Sequence, residues 1–115
     1  MNLQWEDHRS GTVVHLSGEL VTDDVDVLRR RCEERVSHGL RLIVDIRNCD
    51  RVDSAGLEAL LWLHDRVQGL GGQFRLVRGG GQPADAVQVT RLDRRLAVHT
   101  TLEAAARSFS KGQAA

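Results

Sequence analysis

The segment Asp53–Leu57, which reads Asp-Ser-Ala-Gly-Leu, carries the side chains whose types and position could support chemistry. Ser54 stands at the start of the longest predicted helix, where free backbone N–H groups and the positive end of the helix dipole tolerate an anion. A phosphate on the Ser54 hydroxyl would therefore be accommodated. The alternative interpretation is structural, because serine is also a favoured N-cap residue whose hydroxyl accepts a hydrogen bond from the first turn. Position alone leaves both interpretations open.

The other nucleophilic and metal-ligating residues form no catalytic or metal-binding pattern. No two histidines form an H-x-x-x-H or H-E-x-x-H pair, so the three or four converging ligands of a metal site are not predicted. Two cysteines are too few for a zinc site or a disulfide scaffold. Cys32 is expected on the apolar face of a helix, and Cys49 in a loop where it is exposed to solvent. The histidines are His8, His15, His38, His64 and His99.

Two further features suggest phosphate chemistry at first sight. Gly79–Gly81 lacks the G-x-x-x-x-G-K-[ST] pattern of a phosphate-binding loop and is predicted to be a flexible connection. Asp45 ends a buried strand, as the phospho-acceptor of a receiver domain does, but the late lysine of a receiver is missing. Since no acid, base, metal or nucleotide motif converges, we expect neither a cofactor nor an enzymatic activity.

Length and charge exclude several classes of protein. With 115 residues, 41% of them hydrophobic, the chain can form one domain with a sizeable core. Sixteen basic and sixteen acidic residues cancel, which argues against a nucleic-acid partner and against electrostatic docking on a membrane. The longest apolar run, Ala59–Leu63, is far below the roughly 20 residues of a membrane span. The N-terminus has no signal-peptide pattern, so a cytoplasmic protein is expected.

The order of predicted elements is β-β-α-β-α-β-α-β-α. Strands that alternate with helices predict a parallel sheet with right-handed crossovers, here preceded by an antiparallel hairpin. The fold class is therefore α/β, a single domain with a mixed, mainly parallel sheet of about five strands and four helices. We assign residues 1–110 to the domain and 111–115 to a disordered tail. The predicted elements after the hairpin are a helix from Val25 that stops at Gly39, a strand over 42–46, a polar connection over 47–53, a helix over 54–70, a strand over 73–77, a helix over 83–92, a strand over 97–99 and a helix over 102–109.

The helix that starts at Ser54 carries more apolar residues than its core-facing stripe needs. At 100° per residue, the stripe consists of Gly56, Leu60, Leu63, Val67 and Leu70. Leu57, Leu61 and Trp62 fall outside this stripe, on the side of Ser54. They either pack against a neighbouring element, Leu57 above all, or Leu61 and Trp62 form the apolar centre of a partner interface. Glu58 and Asp65 would then lie on its rim.

The Asp53–Leu57 segment after an apolar strand closely resembles the signature of the STAS domain, the sulfate-transporter and anti-sigma-factor-antagonist family. The resemblance extends over about residues 3 to 109 and implies the STAS fold. Further matching segments are Leu16–Leu20, Gly71–Val77, Val87–Asp93, Val98–His99 and Leu102–Ala105.

Stand-alone members of this family are anti-sigma factor antagonists, and the resemblance implies the same function here. Such a protein, when unphosphorylated, binds an anti-sigma factor that is a serine kinase of the histidine-kinase-like ATPase type, and so frees a sigma factor. The kinase phosphorylates the motif serine, which corresponds to Ser54, and a phosphatase reverses the reaction. The resemblance also implies that Asp53, Ser54, Ala55 and Gly56 contact the partner.

The sequence departs from the family pattern in three places. Val21 stands where many antagonists carry an aspartate, Arg91 stands where a glycine is usual, and the stretch before Leu92 is short, so the third helix is expected to be short or displaced towards the glycines. The alternative function is therefore a STAS subunit that is never phosphorylated, either an accessory protein of a lipid transporter or a scaffold of a stress-signalling complex.

Overall fold

The computed structural model describes residues 1–109. The tail predicted over 111–115 lies outside the described residues. Five strands and four helices follow in the predicted order, with short 3-10 turns at Thr22–Asp24 and Leu92–Arg94. The elements are β1 (Asn2–His8), β2 (Gly11–Leu20), α1 (Val25–Glu33), β3 (Arg41–Val52), α2 (Ser54–Gly69), β4 (Gln73–Val77), α3 (Gly81–Val89), β5 (Val98–His99) and α4 (Leu102–Phe109).

The sheet is mixed and has the order β1-β2-β3-β4-β5. β1 and β2 are antiparallel, while β2, β3, β4 and β5 are mutually parallel. The predicted α/β fold class and the N-terminal hairpin are therefore confirmed. Since β2, β3 and β4 all run the same way, their C-terminal ends meet at one edge of the sheet, where β3 leads directly into α2.

Each face of the sheet has its own apolar core. The larger core packs α1, α2 and α3 against alternate residues of the strands, including Leu16, Val44 and Leu76. The smaller core lies under α4 and is formed by Val13, Ile43, Val77, Ala105 and Phe109. The single helix α4 covers less of its face than the three helices on the other side. Polar residues of β1 and β2 therefore stay accessible there.

Three predicted elements have the wrong bounds. α1 ends at Glu33 rather than at the predicted stop, Gly39. β3 does not end at residue 46 but continues to Val52, because the predicted polar connection pairs with β2 through two register shifts. Cys49 lies within this extension and is buried, contrary to the expectation of an exposed loop cysteine. α3 spans 81–89 rather than 83–92, so it is displaced into the triple glycine as the short spacing before Leu92 predicts.

A left-handed residue, Arg91, follows the end of α3. Its backbone has φ 57° and ψ 33°, a conformation that suits glycine and costs other residues energy. The chain leaves the helical path at this position and continues into the 3-10 turn. The glycine that is usual at this place in the family resemblance would adopt the same conformation without strain.

Candidate functional site

The site forms where β3 ends and α2 begins. Asp53 has an extended backbone and is the N-cap of α2, since its Oδ1 accepts a hydrogen bond of 2.8 Å from the Gly56 N–H. Its Oδ2 accepts two more, of 3.0 Å from the Thr22 N–H and 3.1 Å from the Thr22 hydroxyl. One carboxylate thus caps the helix and ties it to the turn that follows β2.

Ser54 is consequently not the cap of α2. It is the first helical residue, it is exposed, and its hydroxyl has no hydrogen-bond partner within residues 1–109. The structural interpretation of Ser54 as the capping side chain is therefore wrong, because Asp53 holds that position. Because Asp53 supplies the cap, the Ser54 hydroxyl stays accessible at the positive end of a helix of 16 residues.

Hydrogen bonding keeps the Asp53 carboxyl ionised. The N–H of Gly56 is the main cause that lowers its pKa below the ordinary value; desolvation is the next largest effect and opposes it, and the bonds from Thr22 and the charge of Arg51 add to the lowering. A charged cap complements the dipole at the start of α2. The negative charge of Asp53 is therefore a constant part of the surface around Ser54.

Gly56 allows α2 to lie close to the end of β2. A Cβ atom built on Gly56 would come closer than 3.0 Å to the carbonyl oxygen of Leu20 and would reach 3.0 Å from Cγ1 of Val52. Gly56 is buried by this approach, so its contribution to the site is packing rather than a side chain offered to a partner. The Ala55 side chain beside it is half-buried.

A shallow cavity of about 210 Å³ lies beside Asp53. Three of its lining residues are acidic, and Arg51 is the single basic one. Since Glu58 is exposed one helical turn after Ser54, the hydroxyl lies in a mainly acidic neighbourhood. The lining residues are Glu19, Val21, Thr22, Asp23, Arg51 and Asp53.

The outer side of α2 carries the residues that the sequence suggests for a partner. Glu58 and Asp65 are exposed, whereas Leu61 and Trp62 are half-buried and pack against the larger core. The Arg29 guanidinium of α1 lies 5.4 Å from the centroid of the Trp62 ring. Trp62 is thus partly exposed to solvent, and the rest of its side chain packs against the larger core.

Leu57 behaves as its structural interpretation predicts. It is buried within the larger core and offers no surface to a partner. It shares this core with the stripe residues Leu60, Leu63 and Val67, while Leu70 is half-buried.

A second polar cluster lies on the α4 side of the sheet, at the centre of β3. The buried carboxylate of Asp45 accepts hydrogen bonds from the Arg47 side chain at 2.9 and 3.0 Å and from the Arg47 N–H at 3.0 Å. His15 Nδ1 lies 2.7 Å from Asp45, and His15 Nε2 lies 2.9 Å from Glu6. Burial alone would raise the pKa of Asp45, but these hydrogen bonds outweigh it and lower the pKa. The cluster joins β1, β2 and β3, and its buried Asp45 carboxylate is not accessible as a phospho-acceptor.

The cysteines and the metal-ligating side chains form no reactive centre. Burial raises the pKa of the Cys32 thiol to about 12 and that of Cys49 to about 11, with smaller contributions from nearby carboxylates. No group of three His, Cys, Asp or Glu side chains within residues 1–109 is placed to hold a metal ion. In the same part of the chain, no helix has both the length and the apolar character needed to cross a bilayer.

The family model of the STAS domain matches residues 2–105. The chain therefore belongs to the STAS domain family. No curated protein sequence shows significant similarity to it.

Solved structures share the fold. An anti-sigma factor antagonist from Mycobacterium paratuberculosis superposes with a TM-score of 0.85 at 24% identity, over 95% of this chain and 93% of that one. The anti-sigma factor antagonist SpoIIAA in its unphosphorylated form gives 0.66 at 18%, over 99% and 100%. A murine Solute Carrier 26 anion transporter gives 0.70 at 20%, over 88% of this chain but 18% of the transporter. At these identities the likeness is one of fold.

Two residues of the site were missed in the sequence. Thr22 was missed because its bonds to Asp53 join residues 31 positions apart. Gln82 was missed because its side chain bonds to the backbone of Val52, 30 positions away. Neither residue belongs to a motif, and only the parallel arrangement of the strands brings them to this edge of the sheet.

Proposed function

We propose that this protein is an anti-sigma factor antagonist that acts as a phosphorylation-controlled protein-binding switch. Its unphosphorylated form binds an anti-sigma factor that is also a serine kinase, and so releases a sigma factor. That kinase phosphorylates Ser54, which ends the binding, and a phosphatase restores it. The observation that carries the proposal is the exposed, unbonded Ser54 hydroxyl at the N-terminus of α2, with the cap supplied by Asp53.

The physical effect of the phosphate differs between the fold and the interface. A phosphoserine adds about −1.5 to −2 charges at pH 7. The dipole end of α2 accommodates them and Asp53 keeps its cap, so the fold is little affected. In an interface, a desolvated charge without a partner costs several kcal/mol. Each 1.4 kcal/mol is a factor of ten in affinity, so the phosphate weakens binding by about a hundredfold or more.

Two variants of Ser54 test this switch. Ser54→Ala is expected to bind the cognate anti-sigma factor kinase and to remain unmodified in the presence of ATP, whereas Ser54→Asp reproduces part of the loss of affinity. Intact mass spectrometry records the added phosphate, and isothermal titration calorimetry records the affinity. Ser37→Ala, at another exposed serine, is the matched control. A kinase that labels Ser54→Ala as fully as the wild type would refute the assignment.

The outer side of α2 is the proposed centre of the partner interface, with Leu61 and Trp62 as its apolar residues. Truncating a tryptophan anchor typically costs about 2 kcal/mol of binding, so Trp62→Ala should weaken partner binding about thirtyfold. Trp5 provides a matched control, because it is also half-buried and lies 4.7 Å below an arginine, Arg35. Both variants lose a comparable amount of packing. Equal affinities of Trp62→Ala and Trp5→Ala for the partner would exclude this surface.

A second candidate is a STAS subunit that docks on its partner without ever being phosphorylated, such as an accessory subunit of a lipid transporter or a stress-signalling scaffold. It is favoured by the fold likeness to part of an anion transporter and by Val21, which stands where many antagonists carry an aspartate. Intact mass after purification from the native host separates the two candidates. The second one predicts a single unmodified mass under all growth conditions.

A further inference from the structure

The side chain of Gln82 hydrogen-bonds to the end of β3, where, in the described part of the chain, β3 has no neighbouring strand on the β4 side. Its Oε1 accepts a hydrogen bond of 2.8 Å from the Val52 N–H, and its Nε2 donates one of 2.8 Å to the Val52 carbonyl oxygen. β3 pairs with β4 only from Arg41 to Asp45, whereas on its other side it pairs with β2 as far as Val52. The amide therefore supplies the donor and the acceptor that a neighbouring strand would supply.

Gln82 supplies the polar attachment of α3 at this point, beside the buried side chains of Pro83 and Val87. Gly79 and Gly80 precede α3, and Gly81 is its first residue; Gly79 lies against the Arg47 backbone, while Gly80 and Gly81 border open space. Within residues 1–109, the two bonds from Gln82 are the only side-chain hydrogen bonds that join α3 to the sheet. Gln82 itself is exposed, so its position is set by these bonds rather than by burial.

The bonded residue, Val52, immediately precedes the cap of α2. The junction between β3 and α2 is held by three sets of contacts. They are the pairing with β2, in which the Asp53 N–H donates to the Leu20 carbonyl oxygen at 3.3 Å, the bonds from Thr22 to the Asp53 carboxylate, and the bonds from Gln82 to the Val52 backbone. Without Gln82, both backbone groups of Val52 would turn to water, and the end of β3 would lose one of these attachments. The orientation of the following residues, Asp53 and Ser54, would then be less well defined.

We propose that Gln82 is a positioning residue for the Ser54 switch. Its amide fixes the end of β3, and this sets the orientation in which α2 presents the Ser54 hydroxyl to the kinase. The role rests on the proposed function of Ser54. An amide is needed because one group must donate and accept at once; a carboxylate at this position cannot donate, and it faces the Val52 carbonyl oxygen.

The test compares three variants with the wild type. Gln82→Ala removes both bonds, Gln82→Glu keeps the shape but loses the donor at neutral pH, and Gln88→Ala is the control. Gln88 lies on the same helix, is exposed, and makes no side-chain hydrogen bond within residues 1–109. The readouts are the protection of the Val52 amide against hydrogen exchange, measured by NMR, and kcat and KM for phosphorylation of Ser54 by the cognate kinase.

In Gln82→Ala we expect the Val52 amide to lose protection by about tenfold and kcat/KM to fall by about tenfold, while Gln88→Ala matches the wild type. Gln82→Glu should behave like Gln82→Ala at pH 7. It should regain Val52 protection as the pH falls through the carboxyl pKa of about 4.3, because the protonated acid again donates and accepts. A purely structural role would lower the thermal midpoint and the Val52 protection but would leave kcat/KM for Ser54 at the wild-type value.

Two results would overturn the positioning role alone: unchanged Val52 protection in Gln82→Ala, or phosphorylation of all three variants with the wild-type kcat/KM. A wild-type protein that the kinase leaves unmodified refutes the proposed function, and the positioning role fails with it. The two failures are therefore distinguishable in one set of measurements.

Discussion

Replacing Gly56 with alanine tests whether the close approach of α2 to β2 shapes the site. The added Cβ would meet the Leu20 carbonyl oxygen at less than 3.0 Å and Val52 Cγ1 at 3.0 Å. A backbone carbonyl cannot rotate away as a flexible side chain can, so the first turn of α2 must move outwards. Overpacking typically costs about 1–3 kcal/mol, and a clash with a backbone carbonyl belongs to the upper part of this range, about 2–3 kcal/mol. The better helix propensity of alanine offsets about 1 kcal/mol of this cost.

We therefore expect Gly56→Ala to lower the free energy of unfolding by about 1–2 kcal/mol. For a domain of this size that corresponds to a melting temperature about 4–8 °C lower. Gly69 offers a matched control on the same helix, because a Cβ atom there meets nothing within 4 Å. Gly69→Ala should raise the melting temperature by a few degrees, since it gains helix propensity of up to about 1 kcal/mol without a clash.

Differential scanning calorimetry and urea unfolding of the two variants provide the measurement. The reasoning is refuted if Gly56→Ala is as stable as the wild type, or if both alanine variants shift in the same direction. An unchanged stability of Gly56→Ala would mean that α2 can accommodate the added Cβ atom without a clash. Shifts in the same direction would mean that both substitutions act mainly on the unfolded chain.

Three more predictions concern residues away from Ser54. Asp45→Asn should destabilise the fold by about 2–3 kcal/mol at pH 7, because Arg47 loses a buried ionised partner. The pKa of Asp45 is lowered in the folded state, so the Asp45 carboxylate contributes fully to the free energy of unfolding above its ordinary pKa of 3.8. This contribution is lost as the pH falls below 3.8. Urea unfolding should therefore show that Asp45→Asn loses less stability below pH 3.8 than the wild type does. Cys32 and Cys49 should resist a thiol reagent at pH 8 until urea unfolds the protein, because burial keeps both thiols protonated. Arg91→Gly should raise the melting temperature by a few degrees, since glycine relieves about 0.5–1 kcal/mol of left-handed strain; an unchanged or lower midpoint would contradict that account.

The helix α2 was predictable because its buried residues recur at helical spacing, and the first half of β3 because its apolar residues form a continuous run. Gly56, Leu60, Leu63 and Val67 lie at helical spacing and are all buried. The end of β3 was not predictable, because its buried residues Ile46, Cys49 and Val52 are three positions apart. Register shifts in the pairing with β2 produce this spacing, which matches neither the period of a strand nor that of a helix.

The sequence indicated where the candidate site lies, but it did not indicate which of its first two residues, Asp53 or Ser54, caps the helix. Asp53 and Ser54 are both favourable N-cap residues, and local sequence cannot decide between them. The decision comes from Thr22, which donates two hydrogen bonds to Asp53 and fixes that carboxylate over the helix N-terminus. Such a contact depends on how the strands are arranged in space. Gln82 was missed for the same reason.

Asp53 caps α2 and Ser54 does not, and this affects how quickly a signal carried by this surface could respond. Because the cap belongs to Asp53, a group added to Ser54 or removed from it leaves the hydrogen bonds of the helix start in place. In the proposed switch, the phosphorylated and unphosphorylated forms would share one backbone, and neither would have to unfold partly to become the other. The turnover of the proposed kinase and phosphatase would then set the speed of response, and repeated cycles would expose no apolar core to proteases or to aggregation.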